Sequence, residues 1–149
     1  MKPRIALLML GLMCGGAKVM ADEFFVTPKD CAKATTGWGV VGGGVSCDGQ
    51  ELAIGKVRFL KGIGLHAPGE LVIAAGGRWR WLTFSAGINA AMTERGSVVV
   101  EVFGDDKPVF KTPVLRVREG PRYCEVPVAG TRVRSCLSVF LITLTVPAP

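Results

Sequence analysis

WRWLTFSA, residues 79–86, alternates with a period of two: Trp79, Trp81, Thr83 and Ser85 fall on one face and Arg80, Leu82, Phe84 and Ala86 on the other. That alternation belongs to a strand packed on one side. Two indole rings on one face suggest a stacking platform for a sugar or a base, although in a two-sheet protein such rings more often pack into the core or along an edge.

Working outward, no stretch after residue 21 carries apolar residues at i, i+3, i+4 and i+7 for three turns, whereas short β-branched or aromatic runs bounded by turn residues recur. The chain therefore reads as all-β. Strands are predicted over 24–27, 35–41, 51–55, 57–60, 70–74, 79–86, 97–104, 109–111, 122–128 and 133–146, which implies a β-sandwich or jelly roll. Between two of them, GDDKP at 104–108 reads as the turn of a hairpin.

KGIGLHAPGE, residues 61–70, sets the only histidine, His66, among three glycines and a proline. Glycines at 62 and 64 let a partner approach closely and Pro68 fixes one dihedral, so the segment reads as a shaped loop rather than regular structure. Either the histidine caps a neighbouring carbonyl in a tight turn, or it lines a site.

The chain opens MKPRIALLMLGLMCGGAKVMA, with Lys2 and Arg4 ahead of an apolar run from Ile5 to Met13 and small residues before Asp22, the pattern of a secretory signal peptide cleaved after Ala21. The run falls far short of the roughly 20 residues that span a bilayer, so no transmembrane span is expected in the mature protein. Leu12 and Met13 ahead of Cys14 argue against lipid attachment there. Residues 22–149 have the length of a single domain, and a secreted, periplasmic or cell-envelope location is expected.

Removing residues 1–21 takes away three bases and no acid, so a formal charge of +6 becomes 15 basic against 12 acidic residues, or +3. Basic residues are scattered among acids, which argues against nucleic acid as a partner. Cys31, Cys47, Cys124 and Cys136 remain, an even number that allows three disulfide pairings. None of them has C-x-x-C spacing, and a lone His66 completes no zinc set.

Gly37, Gly39 and Gly42 match GxGxxG, but Gly42, Gly43 and Gly44 lead into a polar turn where a dinucleotide loop needs a helix. Asp105 and Asp106 are adjacent and point apart, and no serine near His66 sits in a nucleophile elbow. An enzyme is not expected, and no catalytic residue is assigned.

Four blocks remain, in order: GWG at 37–39, DGQELAIGKVRFLKGIGLHAPGE at 48–70, FSAGIN at 84–89 and RGSVVVEVFGDDKPVF at 95–110. Together they resemble the NPCBM carbohydrate-binding modules, the class attached to family 98 glycoside hydrolases, over 36–130. The resemblance implies a galactose-binding-like β-sandwich of jelly-roll type that binds terminal, galactose-type sugars of glycans in loops at one end, without catalysis. Glycans or glycoconjugates are the implied partners. No cofactor is expected, and a structural calcium ion is left open.

The family's G-x-G-x-H-A signature falls on Gly62, Gly64, His66 and Ala67, so His66 is the first site candidate. Trp38 would supply the apolar face, and Asn89 and Arg95, in and after FSAGIN, would complete the polar set. The chain departs from the family at Asn89, where an acid is usual, and at Asp106, where a second glycine is usual. Its tail, TRVRSCLSVFLITLTVPAP, lacks the acidic closing segment, so a carboxyl terminus truncated or read out of frame relative to the family is expected, with 137–146 an apolar edge strand unless the sheet covers it. The alternatives to sugar binding are a secreted or envelope adhesion domain that binds protein, and a truncated family member that has lost its sugar site.

Overall fold

The structure, a computed structural model, describes residues 23–74, 79–92, 95–129, 133–137, 140–142 and 145–147. The signal-peptide reading of residues 1–21 lies outside them. All the named strands pair antiparallel in a β-sandwich, with one single-turn 3-10 helix at Pro28–Asp30 and no α-helix among the described residues.

One sheet has the order β1 (Glu23–Phe25), β16 (Thr145–Pro147), β8 (Trp81–Ala86) and β13 (Arg122–Pro127). The other has the order β11 (Lys107–Lys111), β10 (Val100–Gly104), β14 (Val133–Leu137), β7 (Gly69–Ile73) and β2 (Cys31–Thr35). Period-two burial gives each sheet its inner face: Leu71 and Ile73 on β7, Val100 and Val102 on β10, Leu82, Phe84 and Ala86 on β8, and Cys124 and Val126 on β13. Phe84 meets Phe110 of the opposite sheet edge-on, with ring centroids 6.1 Å apart. Lys33–Glu70 and Lys111–Glu101 pair across neighbouring strands, each at 2.6 Å.

Smaller ribbons decorate this frame: β9 (Ser97–Val98) with β12 (Leu115–Arg116), β4 (Ala53–Ile54) with β5 (Val57–Arg58), and β6 (Ile63–Leu65) between β3 (Gly42–Gly43) and β15 (Phe140–Ile142). The predicted hairpin turn is present, with Asp105 and Asp106 at φ 48° and 63°, the left-handed pair that a two-residue connection needs.

Several expectations need correction. The 61–70 segment is not a loop throughout: Ile63–Leu65 is strand β6 and Gly69 begins β7. A Cβ on Gly64 would stand 2.5 Å from Ser46 Cα and Val45 O, so this glycine admits a neighbouring backbone against a strand rather than shaping a turn. The predicted strand 35–41 is instead a connection of bends between β2 and β3. The predicted strand 133–146 divides into three: β14 lies at the centre of its sheet, β16 between β1 and β8, and β15 at the edge of a three-stranded sheet.

The tryptophan platform does not form either. Trp79 precedes the strand and stacks on Phe24 at 5.7 Å and 18°, leaving Trp81 on the outer face. Of the cysteines, Cys31, Cys47 and Cys124 carry free thiols; the side chain of Cys136 lies outside the described set. Strand register separates Cys31, opposite Ile73, from Cys136, opposite Glu70 on the far side of β7. Two interstrand spacings, about 9–10 Å, exceed the reach of a disulfide before the offset along the strands is added.

Candidate functional site

Four connections build the site. Trp38 comes from the β2–β3 connection, Ser46 to Leu52 from β3–β4, His66 from β6–β7, and Asn89 to Met92 from β8–β9. Between them lies a cleft of about 490 Å³, within the range of small-ligand pockets.

The β2–β3 connection is tied to His66 by its own backbone. Gly37 N donates to His66 O at 2.9 Å, and His66 N donates to Thr36 Oγ1 at 2.7 Å, while that hydroxyl donates to Trp38 O at 2.8 Å. A Cβ on Gly37 would meet Ala67 O at 2.5 Å, so glycine alone lets the two segments lie this close. Trp38 is thereby held with its ring 59% exposed, edge-on to the imidazole at 5.9 Å.

His66 Nδ1 lies 2.7 Å from Ala67 O. A carbonyl only accepts, so Nδ1 carries the hydrogen, and in that tautomer Nε2 is left as an acceptor for a ligand hydroxyl. This histidine both caps a carbonyl and lines the cleft.

Asn89 is buried, and its amide is partly spent on structure. Its Nδ2 donates to Glu51 O at 3.0 Å and its Oδ1 accepts from Ala91 N at 2.9 Å. One N–H and one acceptor position are left. Beneath it, Leu52 and Ile54 form a small buried cluster with Phe59 against them. Arg95 is exposed and stands outside the cleft wall.

Three residues of this wall escape a reading of the sequence. Ser46 Oγ donates to Asp48 Oδ1, and Gln50 N donates to the same hydroxyl at 2.9 Å. The Ser46 bond holds the Asp48 carboxyl below its ordinary value, so it is ionised at neutral pH. Burial, and then the Asp48 charge, push the neighbouring Cys47 thiol up. The only local signal was Asp48-Gly49, which reads as a turn. No group of three or more His, Cys, Asp or Glu that could hold a metal ion occurs among the described residues, and no helix there is long and apolar enough to cross a membrane.

Several known proteins share this architecture. A CBM51 module from Clostridium perfringens GH95, solved with methyl-galactose, superposes with a TM-score of 0.73 at 21% identity, over 83% of this chain and 99% of that one. CBM51-2 and the INT domains of C. perfringens ZmpB, with GlcNAc in CBM51-2, give 0.74 at 20% identity over 86% and 32%. The tandem CBM51 modules of Sp3GH98, the family 98 glycoside hydrolase of Streptococcus pneumoniae SP3-BS71, give 0.71 at 16% identity over 85% and 47%. The likeness is one of fold, a β-sandwich.

In sequence, the chain is 28% identical over 104 residues to a Renibacterium salmoninarum protein that carries the name endo-alpha-N-acetylgalactosaminidase. It spans 66% of this chain but only 7% of that protein's length. The NPCBM/NEW2 domain family matches residues 23–136, well over half of the 149 residues, and the chain belongs to that family.

Proposed function

We propose that this domain is a non-catalytic carbohydrate-binding module whose cleft takes a terminal, galactose-type sugar of a glycan. The observation that carries this reading is the exposed Trp38 ring set beside an imidazole whose Nδ1 is already engaged. A pyranose offers an apolar C–H face and a rim of hydroxyls. Trp38 meets the face, and His66 Nε2, the remaining amide capacity of Asn89 and the Asp48 carboxylate meet the rim. The family membership and the methyl-galactose and GlcNAc held by the CBM51 neighbours point the same way. Asp48 is the one carboxylate on the cleft wall among the described residues, whereas glycosidases use a pair.

The amino-terminal pattern supports export, with the domain acting in the envelope or outside the cell. Cell fractionation tests this, and protein retained at full mass in the cytosol would overturn it.

Glycan-array screening of the wild-type chain beside Trp38→Ala and His66→Ala tests the sugar reading. A reproducible galactose-type signal that both variants lose, with their circular dichroism unchanged, is the expected result. Silence of the folded wild type on every glycan refutes it.

A further inference from the structure

A second cavity, of about 450 Å³, lies along the β4–β5 hairpin and shares Asn89 and Ala91 with the Trp38 cleft. A ligand chain that leaves one across this three-residue ridge enters the other. The ridge is fixed to the hairpin: Ala90 N donates to Ala53 O at 2.7 Å, Asn89 bridges to Ile54, and Asn89 Nδ2 donates to Glu51 O.

The two cavities differ in charge. On the first wall the charged side chain is Asp48; on the second they are Glu51, Lys56 and Arg58. Arg58 pairs with Glu51 at 3.2 Å. Lys56 follows Gly55, whose φ of 58° turns the hairpin tip, and it enters no ion pair among the described residues. An anion in the first cavity therefore meets a carboxylate, whereas in the second it meets the Lys56 ammonium group beside the Arg58–Glu51 ion pair, an excess of one positive charge.

We propose that the second cavity is a subsite for the sugar next to the terminal one, and that Lys56, with Arg58 beside it, selects a sugar bearing a carboxylate or a sulfate. The inference rests on the sugar-binding reading of the first cleft. It divides the labour between a neutral terminal sugar held by ring and hydroxyl contacts and an anionic neighbour held by charge.

Calorimetric titration of the full chain tests it with four probes: methyl-galactoside, a neutral galactosyl disaccharide, and that disaccharide with a sulfate or with a uronic-acid carboxylate on its second sugar. The wild type should bind at least one charged disaccharide about threefold or more tighter than the neutral one at low salt, the scale of an exposed ion pair. The preference should shrink in 0.5 M salt, and which derivative gains identifies the anion. Lys56→Glu should abolish the preference and leave methyl-galactoside binding unchanged. Equal binding of all disaccharides by a wild type that binds methyl-galactoside, or a preference that survives Lys56→Glu, overturns the subsite alone. Binding of none of the four overturns the sugar reading as well.

Discussion

Asn89 stands where the NPCBM resemblance implies an acid, and the geometry here explains why this chain uses the amide. Asn89 Nδ2 donates to Glu51 O while Oδ1 accepts from Ala91 N. Asn89→Asp keeps the second bond and sets a carboxylate oxygen against a carbonyl in place of the first. The variant should lose about 1–3 kcal/mol of stability, read from its urea midpoint. A midpoint equal to wild type would mean that the amide is not holding the ridge. Residue environment also decides thiol chemistry. Burial, and then the Asp30 carboxylate beside it, push the Cys31 thiol up to about 11. Thiolate is the reactive form and is scarce until the pH nears that value, so alkylation of Cys31 in the folded chain should be slow at pH 8 and climb through pH 11. Mass spectrometry of iodoacetamide-treated protein follows it. Labelling at pH 8 as fast as in urea would contradict the assignment. Of the site, Trp38 and His66 were legible because an isolated indole and the only imidazole sat in glycine-rich segments. Ser46 and Asp48 were not, because a serine and an Asp-Gly pair look the same in any turn.

At the scale of elements, the strands that the sequence disclosed are those whose two faces differ. In β7 and β10 buried and half-buried positions alternate, and in β8 Leu82, Phe84 and Ala86 mark the inner face. Strand β3 is two glycines with no side chains to alternate, and β6 is buried at all three positions, so period two was silent for both. In the sequence the glycine of β6 reads as loop chemistry, because its reason lies in the Val45–Ser46 segment and not beside it. Leu141 and Gly42 pair on either side of Gly64, and the Val45–Ser46 backbone fills the place of its missing side chain. Gly64→Ala must displace backbone, and overpacking of this kind costs about 1–3 kcal/mol. It should lower the denaturation midpoint by that amount and weaken sugar binding too, since His66 follows directly on β6. An unchanged midpoint would show that Ser46 moves aside freely.

For the whole molecule, what counts is that the core and the proposed sugar cleft lie in different parts. The buried apolar residues of β7, β8, β10 and β13 make the core, whereas the cleft is assembled from connections between strands and its aromatic ring is more than half exposed. A ligand that binds only this assembled cleft must stabilise the folded chain by mass action. Ten times the dissociation constant of methyl-galactoside contributes about 1.4 kcal/mol, which raises Tm by roughly 4–6 °C for a chain of this size. A few hydrogen bonds and one stacked ring are worth about 4–8 kcal/mol, which puts that concentration between about 10 μM and 10 mM, and sugars at higher concentration also stabilise proteins by exclusion from their surface. The comparison is therefore with the same concentration of a sugar that the glycan array finds silent. Trp38→Ala separates the two effects: without sugar its Tm should match wild type, because the ring contributes little to the core, and with methyl-galactoside it should show only the exclusion shift. If the variant gains as much as the wild type, the stabilisation does not come from the Trp38 cleft, and the sugar would have to be held elsewhere on the sandwich.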